Sequence, residues 1–262
     1  MRRQRYTSDL TRKQFKRIEP LLPACKAGGR PRKVDLYEVM CAILYVLQNG
    51  CTWRNLPHDF PAWQTVYGYF RRFGQDGTWE AINRFLLRRT RQKEGRSPEP
   101  SAGIIDAQTV RCAPQAGLRG VDAGKRTNGR KRHIVVDTLG LLLVVFVTAG
   151  SVQDRVAAPI LLGILAKRFP QLRHIWADSG YSGELVHWAK QLLAWTVEIV
   201  KSLGGQRGFV VLPRRWVVER TLAWMTRSRR LARDYEGLPE TTEAWFYLAN
   251  IRLMLRRLES AA

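Results

Sequence analysis

The chain has 262 residues, of which 45% are hydrophobic, and its 9 Trp and 9 Phe are enough to build a substantial core. Lys and Arg number 44 and Asp and Glu 22, which leaves a formal net charge of +22. The excess is divided evenly between residues 1–100 and 101–262. This distribution excludes a basic tail on a neutral domain and indicates a polyanionic partner that touches both halves.

Cysteine usage and the hydrophobic runs limit the class of protein further. No apolar run approaches the ~20 residues of a membrane span, and the start MRRQRYTSDL lacks the apolar segment of a secretory signal. Four cysteines are too few and too irregularly spaced for a disulfide framework or a zinc site: Cys25, Cys41, Cys51 and Cys112. We therefore expect a soluble, intracellular protein with no membrane partner.

Residues 1–90 are predicted to form a helical module. A short helix over 9–23 is followed by a basic loop rich in Gly and Pro over 26–35. Apolar residues at helical spacing predict two further helices, over 36–49 and 61–73, which are joined by a compact turn.

The last two of these helices fit a helix-turn-helix. The second carries polar and basic side chains suited to base edges and phosphates: Gln64, Thr65, Arg71 and Arg72. Together with the net charge, this predicts a DNA-binding module, while a plain helical bundle with solvated arginines stays open. A polar segment with two prolines over 91–102 is predicted to be a linker to a second domain over 103–262.

After the linker the pattern changes to short strands. Strands are predicted over 103–110, 133–137 and 141–148, and then helix 154–168, strand 173–178, helix 182–193, strand 195–200 and helices 214–233 and 241–258. Three antiparallel strands followed by alternating helices and strands indicate an α/β fold, a ribonuclease-H-like mixed sheet with flanking helices. In that arrangement the first strand is central and the fourth lies beside it.

Three carboxylates are expected to meet on this frame. Asp106 lies inside the first strand, Asp178 at the end of the fourth, and Glu219 on the helix after the fifth. Close carboxylates repel one another, and a divalent cation removes that cost. Oxygen ligands suit Mg²⁺ or Mn²⁺, and two such ions about 3.5–4 Å apart support phosphodiester chemistry. Taken singly, Asp178 before Ser-Gly is also an ordinary turn residue, and Glu219 an ordinary helix residue.

A basic segment between the first two strands is the main candidate for DNA contact outside the carboxylates. The segment 111–132 is predicted to be a Gly-rich loop with seven Lys and Arg and one acidic residue. Such a loop suits the DNA backbone, through Lys125, Arg126, Arg130, Lys131 and Arg132. A disordered, solvated loop is the competing interpretation.

Four further residues carry two interpretations each. Asp137 is predicted to be a hairpin turn residue rather than a site residue, and Asp154 a helix cap rather than a support for the metal site. His133 is either a phosphate contact or a surface residue on an edge strand. Tyr181 either packs in the core or stacks on an unpaired base.

Four stretches resemble the DDE transposases of the IS5 family of bacterial insertion sequences, over nearly the whole chain: IIDAQTVR, KRTNGRKRHIVVDTLGLLL, WADSGY and RRWVVERTLAWMTRSRRLARDYE. The resemblance implies an enzyme that nicks terminal inverted repeats and joins the freed 3′-OH to target DNA. It makes Asp106, Asp178 and Glu219 the catalytic triad and the ligands of two Mg²⁺ or Mn²⁺ ions. It also implies double-stranded DNA as partner, a homodimer on paired ends, and a bacterial, nucleoid-associated location.

Around the glutamate, the broader IS4/IS5 pattern has Tyr, Arg, Glu and Lys at fixed spacing. Arg215 matches its arginine, whereas Leu212 stands at the tyrosine position and Thr226 at the lysine position. Arg215 is expected to contact a phosphate near the scissile bond, with pairing to a neighbouring acid as the alternative. Arg220 and Arg227, on the same helix, are further candidates for DNA contact.

Two other functions stay open at this point. A transposase-derived DNA-binding regulator without catalysis would keep the basic surface, although the presence of all three carboxylates argues against it. A ribonuclease-H-like nuclease that hydrolyses without strand transfer would use the same carboxylates, since only the attacking oxygen differs.

Overall fold

The computed structural model describes residues 3–24, 33–200 and 214–260. Leu212, Cys25 and most of the basic loop expected over 26–35 lie outside these ranges. The N-terminal helices are α1 (Arg12–Ile18), α2 (Leu36–Asn49), α3 (Trp63–Gln75) and α4 (Thr78–Lys93).

The second of these helices has the predicted bounds because both of its ends are capped. The Asp35 carboxylate accepts a hydrogen bond from the Tyr37 N–H, and Gly50 ends the helix with a left-handed φ of 70°. Helix α1 is shorter than predicted, since Thr11 and Gln14 form a capping box inside the expected range.

The strands form one mixed sheet: β1 (Ala102–Arg111), β2 (Gly120–Asp122), β3 (Thr127–Asp137), β4 (Leu142–Ala149), β5 (His174–Ala177) and β6 (Thr196–Ile199). Strand β1 pairs antiparallel with β3 and parallel with β5, β4 pairs with the outer side of β3, and β6 with β5. Apart from the short β2, the order across the sheet is β4-β3-β1-β5-β6. The ribonuclease-H-like prediction, with the first strand central, is confirmed.

The predicted loop over 111–132 is wrong for much of its length. Strand β1 continues to Arg111, β3 begins at Thr127, and β2 pairs with the start of β3. Gly129 permits this extension, because a Cβ there would lie 1.8 Å from the Val110 carbonyl oxygen. The glycines that suggested a flexible loop therefore include one that lets two strands approach closely.

The remaining helices are α5 (Asp154–Arg168), α6 (Glu184–Leu193), α7 (Arg215–Thr226), α8 (Arg229–Ala232) and α9 (Pro239–Glu259). The single helix predicted over 214–233 is wrong, because the chain leaves the helical conformation at Ser228. The break turns Arg230 inward, where it donates to the Glu236 carboxylate (2.7 Å) and the Cys51 carbonyl (3.1 Å). Across the described ranges, no helix is long and apolar enough to cross a membrane.

Helix α9 packs against both the N-terminal helices and the sheet. The Trp245 ring stacks on Phe70 (centroids 4.3 Å apart) and lies 5.6 Å from Trp53. The Asn83 amide donates to the Leu142 carbonyl (2.9 Å) and accepts from Asn250 (2.6 Å). The helical residues and the strands thus share one hydrophobic core, and the division into 1–90, 91–102 and 103–262 stays a prediction.

Glu243, on α9, makes the stability of the fold depend on pH. Its carboxylate accepts the Val147 N–H (2.9 Å) on the outer edge of β4. Burial, and then the charges of Glu240 and Glu80, raise the pKa of Glu243 from 4.5 to about 7. Between those values the folded chain holds a proton that the unfolded chain has lost, so the free energy of unfolding falls as the pH rises through this window.

Glu243→Gln should remove this pH dependence and increase the stability at pH 8 by at most ~3 kcal/mol. Urea unfolding at pH 5, 6, 7 and 8 measures the slope. The matched control is Glu184→Gln, an exposed carboxylate that should keep the wild-type slope. An unchanged slope in Glu243→Gln would contradict the assignment.

Candidate active site

Asp106 and Asp178 stand on adjacent strands. Asp106 lies in the middle of β1, and two residues before it Ile104 pairs with Trp176 of β5. Strand β5 ends at Ala177, and the Asp178 carboxylate accepts a hydrogen bond from the Gly180 N–H (2.8 Å). Asp178 is therefore a turn residue that also lies beside the central strand.

The surroundings of Asp106 disfavour its ionised form. Its carboxylate accepts the Ala107 N–H (2.7 Å). Burial and the charge of Asp178 raise the pKa of Asp106, which lies at about 6 although the Ala107 N–H, Arg215 and Lys125 oppose the shift. The Lys125 ammonium donates to the Ala107 carbonyl (3.1 Å), next to Asp106. A cation at this carboxylate would offset the cost of its charge.

Helix α7 brings Glu219 to the same edge of the sheet. Its buried stripe of Val218, Leu222 and Met225 agrees with the predicted apolar face. The Thr221 hydroxyl donates to the Gly140 carbonyl (2.9 Å) in the turn between β3 and β4. Gly140 has a φ of +79°, and a Cβ there would lie 2.7 Å from the Thr221 hydroxyl, so glycine permits both the turn and the approach of α7.

Arg215 lies between two of the three carboxylates. Its Nη2 is 3.4 Å from Glu219 Oε1 and 3.6 Å from Asp178 Oδ2. The charges of both Asp178 and Arg215 influence the pKa of Asp106, so Asp106 lies near this pair while Arg215 contacts the other two carboxylates directly. The alternative interpretation of Arg215, pairing with a neighbouring acid, describes this conformation.

The donor chemistry of the site fits a divalent cation. In the described part of the chain, no three His, Cys, Asp or Glu side chains are close enough to form a ready-made metal site. Asp106 and Asp178 nevertheless supply carboxylate oxygens from adjacent strands, in surroundings that raise the pKa of Asp106. Hard oxygen ligands of this kind suit Mg²⁺ or Mn²⁺. Glu219 could join them if Arg215 released it.

Seven of the predicted DNA contacts are exposed, among them Arg227 at the end of α7. Gln64, Thr65, Arg71 and Arg72 lie on the face of α3 opposite its buried residues. Lys125 and Arg126 are exposed in the turn between β2 and β3, close to Asp106.

Three basic residues of the same segment are buried, and for these the prediction of a DNA contact is wrong. Arg130 donates to Asp234 (3.2 Å) and to the carbonyls of Leu118 (2.8 Å), Glu236 (2.9 Å) and Gly237 (2.7 Å). Arg132 and Lys131 are buried as well. The three residues belong to β3, in the interior of the sheet, rather than to a loop.

Arg132 and Lys131 also have internal partners. The Arg132 guanidinium donates to the Leu231 carbonyl (2.7 Å) and lies over the Phe246 ring. The Lys131 ammonium is 3.4 Å from Asp122 and 3.2 Å from Asp154. Both side chains hold neighbouring elements against the sheet.

His133 differs from both of its interpretations, and Asp154 differs from the favoured one, a helix cap. His133 is buried in β3, its Nε2 lies 3.0 Å from the Thr148 hydroxyl, and burial lowers the pKa of His133 to about 4. It is therefore neither a surface residue nor a phosphate contact in this conformation. Gln153, not Asp154, is the N-cap of α5, and its side chain makes no capping hydrogen bond. Asp154 instead begins the helix and pairs with Lys131.

For Asp137 and Tyr181 the structural interpretations are confirmed. Asp137 forms the turn, accepting from the N–H groups of Leu139 (2.9 Å) and Leu141 (2.8 Å), and it pairs with Arg91. Tyr181 is fully buried, so it packs in the core and offers no ring to a base. Burial, and then the charges of nearby aspartates, raise the pKa of Tyr181 above its usual 10.

Arginines of α9 were missed by the sequence reasoning. Arg227 lies at the end of α7, beside Arg252 and Arg256 of α9. Arg220 stacks against Trp224, with 4.4 Å between its guanidinium carbon and the ring centroid. The available signal was the spacing of Arg252 and Arg256, four residues apart on a helix that is otherwise largely apolar. Thr226, at the position of the pattern's lysine, ends α7.

Comparisons with known proteins agree on one family. A model described as "Putative transposase of IS4/5 family" matches residues 10–83, and one described as "Transposase DDE domain" matches residues 97–254. The chain is 30% identical over 131 residues to the "Putative transposase for insertion sequence element IS402" of Burkholderia cepacia. That alignment covers 47% of this chain and 60% of that relative.

Two solved structures show a weak overall likeness. They are described as "Crystal structure of the Mos1 Strand Transfer Complex" (13% identity, TM-score 0.34) and "Mos1 transposase paired-end complex with left transposon end" (14%, 0.31). Each overlap covers 94% of this chain and 83% of the other. We assign the fold from the strand order of the sheet. The similarity to these two structures is too weak to support that assignment. Since the DDE-domain model matches more than half of its residues, the chain belongs to the DDE transposases, in their IS4/IS5 type.

Proposed function

We propose that this protein binds the terminal inverted repeats of an insertion sequence, cuts the DNA at the ends, and joins the 3′-OH ends to target DNA. One observation carries the proposal: Arg215 lies 3.6 Å from Asp178 and 3.4 Å from Glu219, next to the strand that carries Asp106 in a ribonuclease-H-like sheet. The match to the DDE family supports it over an unrelated metal nuclease.

In this proposal the three carboxylates would hold two Mg²⁺ or Mn²⁺ ions. The ions, when bound, supply activation of the attacking oxygen and stabilisation of the leaving oxygen. Arg215 keeps Asp178 and Glu219 from repelling each other in the free protein. With its partners engaged elsewhere, its guanidinium is placed to bind the phosphate next to the scissile bond.

The remaining DNA contacts are proposed on two exposed surfaces. Gln64, Thr65, Arg71 and Arg72 of α3 would meet the terminal repeat as the second helix of a helix-turn-helix. Lys125 and Arg126, beside Asp106, would hold the backbone near the cut, and Arg220 and Arg227 would continue that surface along α7. We also propose a homodimer on paired DNA ends, at the nucleoid, as the family resemblance implies.

Cleavage of a labelled duplex that carries the element's end tests this function. Wild type should cut with Mg²⁺ or Mn²⁺ but not with EDTA, and Asp178→Ala should bind the duplex without cutting it. The control Glu94→Ala removes an exposed carboxylate and should cut like wild type.

The reaction products separate the alternatives. Joined products establish strand transfer, whereas cutting without joining indicates a hydrolytic nuclease. A wild type that binds the end tightly but never cuts in either metal would overturn the proposal in favour of a DNA-binding regulator.

A further inference from the structure

A cleft of about 440 Å³ lies between the end of α7, the outer face of α9 and the last turn of α2. Three arginines line it, one from α7 and two from α9: Arg227, Arg252 and Arg256. Trp224 forms another part of the wall. We call it the α7–α9 cleft.

The arginines of the α7–α9 cleft lack acidic partners. Among the described residues, no Asp or Glu lies within ion-pair distance of Arg227, Arg252 or Arg256. Two buried arginines elsewhere do have them, since Arg130 pairs with Asp234 and Arg230 with Glu236. The α7–α9 cleft thus gathers three guanidiniums with no acid beside them.

Arg252 is partly buried, whereas Arg227 and Arg256 are exposed, so the cost of an unpaired charge falls on Arg252. Desolvation, and then the charge of Arg256, lower the pKa of Arg252 to about 10, so its guanidinium is still charged at neutral pH. Two more arginines stack on the Trp224 ring, Arg220 at 4.4 Å and Arg257 at 4.9 Å from its centroid. An anion placed among these groups would relieve their repulsion.

We propose that the α7–α9 cleft binds backbone phosphates of the duplex whose scissile phosphate lies at Glu219, an inference that rests on the proposed function. Arg227 lies eight residues beyond Glu219, or roughly 12 Å along the helix axis at about 1.5 Å per residue. Successive phosphates of one strand advance about 3.4 Å along the duplex axis, so this span corresponds to three or four nucleotides.

The spread of the cations favours a polymer over a small anion. Arg220, Trp224 and Arg227 recur along one face of α7, and Arg252 and Arg256 recur along α9. A single phosphate cannot reach guanidiniums distributed over two turns of a helix, whereas a DNA backbone passes them in succession. The Trp224 ring also holds the Arg220 guanidinium (4.4 Å) on this face of α7.

The salt dependence of DNA binding tests the inference. The double variant Arg252→Gln/Arg256→Gln should bind a fluorescent end duplex about tenfold more weakly at low salt, and the slope of log K against log salt should shrink by about 1 to 2. The matched control Arg84→Gln/Arg88→Gln loses the same charge from arginines that already pair with Glu99 (3.9 and 3.0 Å). It should keep a slope close to wild type.

Two measurements separate the effect from misfolding. The melting temperature of Arg252→Gln/Arg256→Gln should equal or exceed that of wild type, because the substitutions remove like charges that have no partner. Arg252→Lys/Arg256→Lys should restore most of the salt slope, since the phosphates are bound chiefly through charge.

The outcomes also distinguish this inference from the proposed function. If wild type cuts its end and Arg252→Gln/Arg256→Gln keeps the wild-type salt slope, the inference fails and the function stands. If wild type binds the end but cuts in neither metal, the proposed function fails. The salt slope of DNA binding still shows whether the α7–α9 cleft contacts phosphates. If inorganic phosphate raises the melting temperature of wild type while the DNA slope is unchanged in the double variant, the cleft is a small-anion site and the inference is overturned.

Discussion

Asparagine in place of Asp106 is expected to abolish metal-dependent cutting and to raise the melting temperature of the free protein. Losing a ligand that offsets several kcal/mol of charge in the transition state should slow cutting by at least about 10³-fold. Asparagine can still accept the Ala107 N–H that the carboxylate accepts now. It removes a charge that the fold disfavours, since burial raises the pKa of Asp106 from 3.8 to about 6.

The sign of the stability effect follows from proton linkage. At pH 7.5 the carboxylate is ionised in both states, but the folded chain binds its proton more strongly, so ionisation costs at most ~3 kcal/mol of folding free energy. Thermal melts of Asp106→Asn at this pH measure the gain, alongside the cleavage assay.

Asp122→Asn is the contrasting control for Asp106→Asn. Although burial opposes it, hydrogen bonds from Thr109 and Lys125 and the charge of Lys131 lower the pKa of Asp122, so this substitution should reduce stability. A lower melting temperature for Asp106→Asn, or cutting at the wild-type rate, would contradict the proposed site.

Arg130→Met is expected to lose ~3–5 kcal/mol of stability, because it breaks a buried ion pair and leaves one charge without a partner. Asp234 would keep hydrogen bonds from Thr242 and the Glu236 N–H but lose its counter-ion. The carbonyls of Leu118, Glu236 and Gly237 would lose a donor as well. Against a total of about 5–15 kcal/mol for a domain, this loss is large.

Urea unfolding followed by circular dichroism measures this effect, with Arg126→Met as the matched variant. Arg126 is exposed only four residues away, so its replacement should change stability by no more than about 0.5 kcal/mol. It should instead weaken DNA binding and reduce the salt slope by about 1. Should Arg130→Met keep its stability and lose only DNA affinity, the assignment of Arg130 to the interior would be wrong.

Periodicity and caps made much of the fold predictable. Helix α2 is predictable because Asp35 and Gly50 mark its ends. Helix α5 is predictable because its apolar residues recur at helical spacing. The proximity of Asp106 and Asp178 followed from the same frame, since they lie on a central strand and at the end of its neighbour. For these elements the local sequence pattern and the tertiary structure agree, so the sequence is sufficient to predict their positions.

The sequence misleads where distant partners decide the outcome. Arg130 looks like a surface cation because charged residues are rarely buried, and only its pairing with Asp234, 104 residues away, reverses that expectation. The break at Ser228 has the same origin, since Arg230 turns inward toward the Cys51 carbonyl. Neither partner can be identified from the pattern near the residue itself.

The stacking of Trp245 on Phe70 and Trp53 has a consequence for where the DNA is cut. These rings join α3 to α9 without a free hinge, and α9 in turn lies against β4 through Asn83 and Asn250. If α3 binds the terminal repeat, this packing fixes the distance between the bases that α3 contacts and the bond that is cut. Moving the repeat by a few base pairs should then abolish cutting rather than shift the cut.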